Sequence, residues 1–275
     1  MSLLQVESLS KKFDGLNAVD DLSFDIQPGA VHSIIGPNGA GKTTLLNLLT
    51  GIYRPSGGRI VFGEYDLTGR APYEYAGHGI ARTFQNLQVF FNMSALENVM
   101  VGRYLHERCG LASALLRGPR LARAEKVCRD EAAELMRYVG LRSYLSVAAD
   151  AMPYGALKRL EIARALATKP KLMLLDEPAA GLNPTEALEL DDLIGRLSER
   201  GVTVVLVEHN MRLVMGVSNH ILVLDYGRKL AEGSAAAIRN DPKVIEAYLG
   251  SAVAHEDPVG GPSASAVAVA GEARR

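Results

Sequence analysis

With 275 residues and 48% apolar composition, the chain can bury the core of one large domain, or of one domain with a subdomain, which excludes bulk disorder. Its 30 Lys and Arg against 31 Asp and Glu leave a formal net charge of −1, which excludes a general nucleic-acid binder, because affinity for a phosphate backbone needs a basic surplus. Cys109 and Cys128 are far apart and fit neither a metal-ligand spacing nor a disulfide framework, so both are expected to be packing residues in a reducing cytoplasm.

The chain opens on the alternating Leu4-Gln5-Val6-Glu7-Ser8 with no signal-peptide pattern, and no window of about 18 uncharged apolar residues follows, so no membrane span is expected. Strands are predicted over Leu4–Ser8, Leu22–Ile26 and Val31–Ile35, the third after a Pro28-Gly29 turn, and over Arg59–Phe62 after Ser56-Gly57-Gly58. From Ser94 to about Val147 the pattern turns helical, with segments over Ala95–Tyr104, Leu121–Val139 and Arg142–Val147 and a break at Gly118-Pro119. This reads as an inserted α-helical subdomain over about residues 90–160. Lys171–Asp176 and Val202–Glu208 then read as buried parallel strands, joined by a helix from Thr185 to Arg200 that Gly201 ends. That strand–helix–strand order indicates a right-handed α/β core. Ile221–Asp225 and Arg228–Glu232 form a closing hairpin across Tyr226-Gly227. The domain is placed at 1–250; residues 251–275 are reduced to Ala, Gly, Ser, Val and Pro in the main and are expected to be a disordered tail.

Two stretches carry chemistry by themselves. Gly36-Pro37-Asn38-Gly39-Ala40-Gly41-Lys42-Thr43 satisfies G-x-x-x-x-G-K-[ST], and it follows the strand Val31–Ile35 and precedes a predicted helix, Thr44–Leu49, ended by Gly51 and Pro55. In that setting glycines let backbone N–H groups turn onto α- and β-phosphates, and the helix N-terminus adds positive potential. Lys42 then reaches the β- and γ-phosphates, Thr43 offers a hydroxyl to Mg²⁺, and Thr44 completes the nucleotide-binding set. The second stretch, Leu172–Asp176 followed by Glu177-Pro178, brings two carboxylates to the C-terminal end of an apolar strand, the side where open α/β sheets bind ligands. On a strand next to that of the phosphate loop, Asp176 would lie in the outer sphere of Mg²⁺ and Glu177 would act as general base toward a water.

Three further features give these stretches a family. The tract Met152-Pro153-Tyr154-Gly155-Ala156-Leu157-Lys158-Arg159-Leu160-Glu161-Ile162-Ala163-Arg164 precedes the Asp-Glu pair, Gln85 ends Arg82-Thr83-Phe84-Gln85, and His209 follows the Val202 strand. In order and spacing the whole, from about residue 3 to 250, resembles the ATP-binding cassette (ABC) ATPases. The resemblance implies an α/β P-loop NTPase core with an N-terminal antiparallel β subdomain and an inserted α-helical subdomain. It implies ATP and Mg²⁺ as cofactors, with Phe13 stacked on the adenine and Val19 flanking the ribose. It also implies that Gln85 meets Mg²⁺ or the water, that His209 holds the γ-phosphate, and that Tyr154 and Gly155 face the γ-phosphate bound by another subunit.

A narrower resemblance, to the branched-chain (hydrophobic) amino acid importer ATPases, rests on Asp176 to Pro184, on Leu160-Glu161-Ile162-Ala163-Arg164 and on a C-terminal segment over about 228–250. It implies a subunit on the cytoplasmic face of the inner membrane. Its partners would be a second ABC ATPase subunit, two transmembrane permeases and, indirectly, a solute-binding protein. ATPases for urea, short amides or lipopolysaccharide have similar sequences and stand as alternatives, as does a non-transport ABC ATPase. Leu87-Gln88-Val89-Phe90-Phe91-Asn92-Met93 is either a docking surface or packing for the insert. The signature departs from the family, with Pro153-Tyr154-Gly155-Ala156 in place of Ser-Gly-Gly-Gln and Ala156-Leu157 where this branch carries glutamines. That departure suits a heterodimer whose partner carries the fuller signature, a homodimer being the other possibility.

Overall fold

The computed structural model describes residues 2–103 and 119–253; Cys109, Gly118, the end of the expected helix at Tyr104 and the tail beyond Val253 lie outside them. The N-terminal alternation continues well past Ser8. Strand β1 (Leu4–Phe13) pairs antiparallel with β2 (Leu16–Ile26), and bulges absorb the broken alternation that shortened the expected strands. The register shifts between Val6 and Leu9 and again between Leu9 and Lys11, with Ser8 and Asp21 at φ of 45° and 49°. Leu9 and Leu22 lie opposite each other, both fully buried, so the apolar face is recovered beyond the bulge. On its other edge β1 pairs with β4 (Gly57–Phe62), which pairs with β5 (Tyr65–Asp66), giving an antiparallel sheet in the order β2-β1-β4-β5.

The second sheet holds β3 (Val31–Ile35), β6 (Ile80–Arg82), β7 (Leu172–Asp176), β8 (Thr203–Val207), β9 (His220–Asp225) and β10 (Arg228–Gly233). Its order is β10-β9-β3-β8-β7-β6, parallel throughout except for the antiparallel β9–β10 edge. Every residue of β3, β7 and β8 is buried, as expected of parallel strands covered on both faces. One expectation is corrected here. Strand β7 is not the neighbour of β3; β8 lies between them, and Asp176 pairs with Val207. Strand order follows from pairing over long sequence separations, about which an apolar pentapeptide carries no information.

Helix α1 (Lys42–Leu49) follows β3, and α2 (Pro72–His78) leads into β6. The segments α3 (Ala95–Gly102), α4 (Pro119–Tyr138) and α5 (Tyr154–Ala167) pack on one another through Val99, Met136 and Leu160. Only a short 3₁₀ turn at Arg142–Tyr144 stands where a helix is expected over Arg142–Val147, and a second turn follows at Ala149–Ala151. Asn183 caps α6 (Pro184–Glu199) reciprocally with Glu186, whose carboxylate accepts the Asn183 N–H at 3.0 Å while its own N–H reaches the Asn183 side chain at 3.0 Å. After α7 (Met211–Val217) and α8 (Ala235–Arg239), helix α9 (Pro242–Val253) continues beyond the boundary expected at 250. Among the described residues no helix is long and apolar enough to cross a membrane.

Candidate functional site

The phosphate-loop motif wraps the step from β3 into α1, and its conformation explains its glycines. Gly41 caps α1 in the left-handed region at φ 96°, and a Cβ there would collide with the Ala18 carbonyl of β2. Lys42 Nζ donates to the carbonyls of Gly36 and Pro37 at 2.7 and 2.9 Å, so these two residues turn their oxygens to the ammonium. Burial pushes the Lys42 ammonium below its ordinary range, opposed by the Glu177 and Asp176 carboxylates. The loop is braced from behind, where the Gly227 N–H donates to the Ala40 carbonyl at 3.0 Å and the Gly227 carbonyl accepts from the Asp20 N–H at 2.9 Å.

In front of the loop lies a cleft of about 650 Å³ lined by Phe13, Leu16, Ala18, Lys42, Glu177 and Tyr226 together with residues 38–41, 43 and 44. Phe13 is 39% exposed at its mouth, held edge-on by Tyr53 at 5.3 Å with Lys11 Nζ 4.9 Å over the ring. Val19 is corrected. It is fully buried among Leu4, Leu45 and Leu22, and the three residues before it, Leu16, Asn17 and Ala18, line the cleft instead. The bulges in the β1–β2 pair decide which strand positions face out, and they turn Val19 into the core.

Strand β7 delivers the two carboxylates into different surroundings. Asp176 is buried and accepts from Arg82 Nη2 at 2.9 Å, while Arg82 Nη1 donates to Asn47 Oδ1 of α1 at 2.6 Å. The arginine thus joins β6, β7 and α1 behind the cleft. Glu177 lies just past the strand at φ 45°, a left-handed conformation that costs a non-glycine residue about 1–2 kcal/mol. Its N–H donates to the Val207 carbonyl at 2.8 Å, which fixes the turn and aims the carboxylate into the cleft. There Glu177 Oε2 accepts from Gln85 Nε2 at 2.9 Å, and His209 Nδ1 stands 3.8 Å from Oε1, beyond hydrogen-bond reach, on an imidazole that is 64% exposed.

Glu208 was passed over as the end of a strand, yet it organises this corner. Fully buried, it accepts N–H groups from Ala179 at 2.9 Å and His209 at 3.2 Å, so one carboxylate holds the loops after β7 and β8 together. Arg82 and Tyr226 belong to the site as well, although in the sequence the first reads only as the start of the run that ends at Gln85 and the second as part of a plain turn.

Tyr154 and Gly155 do not line this cleft. They begin α5 on another face, where Tyr154 is 43% exposed against Gly181, and a Cβ on Gly155 would collide with the Glu186 carboxylate. Ala156 and Leu157 are both buried in the apolar core beneath α5. The side chains that replace glutamines therefore point into the protein, and the exposed edge of this helix start is Tyr154.

A parallel sheet that brings a phosphate loop, its lysine and a strand-end glutamate to one cleft defines a P-loop nucleoside triphosphatase. Comparison with known proteins narrows the class. The family described as ABC transporter matches residues 19–180, and that described as branched-chain amino acid ATP-binding cassette transporter matches 228–254. The chain is 44% identical over 251 residues to the high-affinity branched-chain amino acid transport ATP-binding protein LivG of Escherichia coli, covering 91% of this chain and 98% of that one. It is 43% identical over 251 residues to the corresponding BraF protein of Pseudomonas aeruginosa, with the same two coverages of 91% and 98%. Among solved structures, an ATP-binding cassette of an ABC transporter in its ADP conformation superimposes with a TM-score of 0.78 at 32% identity, covering 91% of this chain and 99% of that one. The chain belongs to the ABC transporter family, as an ATP-binding cassette with ATPase function.

Proposed function

We propose that this chain is the ATPase subunit of an importer for branched-chain amino acids, peripheral on the cytoplasmic face of the membrane. The observation that carries the hydrolytic part is the meeting of Gln85, Glu177 and His209 at the edge of the phosphate-loop cleft. Glu177 is the general base toward a water, His209 clamps the γ-phosphate, and Gln85 orients the base through its amide. Phe13 offers its exposed face to the adenine, and residues 36–44 cradle the phosphates. Thr43 has an exposed hydroxyl at the start of α1, and among the described residues no trio of His, Cys, Asp or Glu is placed to hold a metal. A cation there would take oxygens from Thr43, Gln85 and the phosphates, as suits Mg²⁺, which supplies charge neutralisation, while Asp176, held by Arg82, acts from further back.

The cargo assignment rests on the C-terminal segment, whose family match covers 228–254. Membrane partners have a seat in a second cavity of about 620 Å³, lined by Ile52, Leu87, Val89, Phe90 and Val101. Leu87 and Val89 pack inward while Phe90 and Phe91 are 43% and 48% exposed, so this segment serves both the core and a docking face. Two cassettes are needed, because the α5 start lies off the cleft and serves the nucleotide of a second subunit. A heterodimer is favoured by Pro153, which stands where the family signature carries its Ser hydroxyl.

Reconstitution with two permeases and a partner cassette in vesicles tests the whole reading. Leucine-loaded binding protein should stimulate ATPase, and urea, amide or lipid cargo should not. Full-rate hydrolysis by the chain alone would overturn the heteromeric account. Mutating Glu177→Gln here and its counterpart in the partner cassette, with equal losses of ATPase, would overturn the asymmetry.

A further inference from the structure

Helix α5 places two charged side chains where charges are rarely found. Lys158 and Glu161 are each only 3% exposed, one helical turn apart on a face that is otherwise apolar core. Each spends its charge on a backbone group of the segment that follows β6. Lys158 Nζ donates to the Gln85 carbonyl at 2.9 Å, and Glu161 Oε1 accepts the Gln88 N–H at 2.6 Å. Arg164, a further turn along, stands 3.9 Å from Glu161 and lies 5.4 Å over the ring of Phe90. At the other end Lys158 Nζ is 5.7 Å from the Tyr154 ring centroid. The loop carrying Gln85 is thus gripped at both ends by one helix, and the grip takes main-chain atoms.

We infer that Lys158 and Glu161 are positioning residues that clasp the Gln85–Gln88 loop to α5 and so set where the Gln85 amide meets Glu177. The path is short and continuous: Lys158 to the Gln85 carbonyl, then the Gln85 side chain to Glu177 Oε2 at 2.9 Å. Any displacement of the Tyr154 end of α5 moves Lys158 with it, because the helix is a rigid hydrogen-bonded element, and so moves the amide that holds the base. Burial raises the Glu161 carboxyl above its ordinary range, and the Gln88 N–H, Lys158 and Arg164 oppose that shift, so the clasp rests on these contacts. Nothing touching nucleotide is required of either residue, which distinguishes them from the groups lining the cleft.

This inference rests on the proposed role of Gln85, so Gln85→Ala is measured alongside. In the assembled transporter, Lys158→Met should lower ATPase kcat between about 10- and 100-fold, the range that misplacement of a reacting group produces, with KM unchanged within about twofold. The full chain alone should keep its MgATP affinity within about twofold. Lys158→Arg, which can still reach a carbonyl, should recover most of the rate. The Gln85→Ala/Lys158→Met double variant should lose no more than Gln85→Ala, because both act through one amide. A wild-type kcat for Lys158→Met beside an impaired Gln85→Ala overturns the clasp. So does a Lys158→Arg variant as poor as Lys158→Met with weakened nucleotide binding, which would mark simple structural damage. If Gln85→Ala itself keeps full kcat, the site reading fails first and takes the clasp with it. Should Lys158→Met not fold, Glu161→Gln decides: faster hydrogen exchange at the Gln88 amide with a reduced kcat supports the inference, and unchanged exchange overturns it.

Discussion

Arg82→Met isolates the buried ion pair behind the cleft from the chemistry in front of it. The Arg82 and Asp176 side chains are 5% and 6% exposed, 2.9 Å apart, and water cannot replace the lost guanidinium. Removing one partner of such a pair leaves an uncompensated buried charge and costs about 3–5 kcal/mol, whereas an exposed pair costs about 0–1 kcal/mol. The Asn47 Oδ1 acceptor loses its 2.6 Å donor as well, so the upper part of that range is expected. For a chain of this size each kcal/mol lowers the melting temperature by about 2–4 °C, giving a fall on the order of 10 °C. Urea unfolding of the nucleotide-free chain by circular dichroism provides the free energy, and the Arg82→Met/Asp176→Asn double variant provides the coupling. The double variant should regain at least about 1 kcal/mol over the sum of the singles. A loss below about 1 kcal/mol for Arg82→Met, or strict additivity, would refute the claim that this pair is sealed from water.

Glu177→Gln should lower ATPase by about 10²–10⁴-fold while MgATP binding persists, since it removes the base and keeps the shape; hydrolysis at the parent rate would remove Glu177 from that role. Gly41→Ala should abolish nucleotide binding and destabilise the chain, because the left-handed φ costs about 1–2 kcal/mol before the clash with Ala18 is counted; isothermal titration with ATP reads it directly. Restoring a glutamine by Ala156→Gln should cost stability, about 1–3 kcal/mol, with no gain in ATPase, because position 156 points into the core; a faster, equally stable variant would contradict that placement. The Tyr75 phenol is pushed from 10.0 up to about 12, chiefly by burial and then by the Asp66 and Glu74 charges. The folded state resists ionising it, so its contribution is fully present below the unfolded value and is lost as pH rises from 10.0 toward about 12; Tyr75→Phe should flatten that alkaline fall in unfolding free energy.

The parts of this molecule legible in its sequence are those whose physics is local. The phosphate loop could be read because spacing, glycine geometry and the flanking apolar runs all lie within a few turns of chain, and Glu177 because an acid after a buried strand stands out. The parts that escaped depend on partners remote in sequence. Whether β7 or β8 lies beside β3 is decided by crossovers, and the face on which Val19 falls is decided by bulges paired across β1 and β2. Lys158 and Glu161 look like a solvated helix face on paper, and only the loop laid over them shows that they are buried. Ala156 and Leu157 illustrate the converse, since a departure read as a missing ligand group is a packing choice.

Strand β3 takes its partners only from the far end of the chain, His32 pairing with Val205 on one side and with His220 on the other. A ribosome-bound chain that has emitted the whole phosphate loop therefore lacks the strands on which that loop is hung. The cradle comes into being only when β8 and β9 have left the exit tunnel, long after its own residues were made. Until then the apolar run Val31–Ile35 lacks strands on its edges, so the window of greatest exposure to aggregation is set by the length of chain between residues 35 and 225.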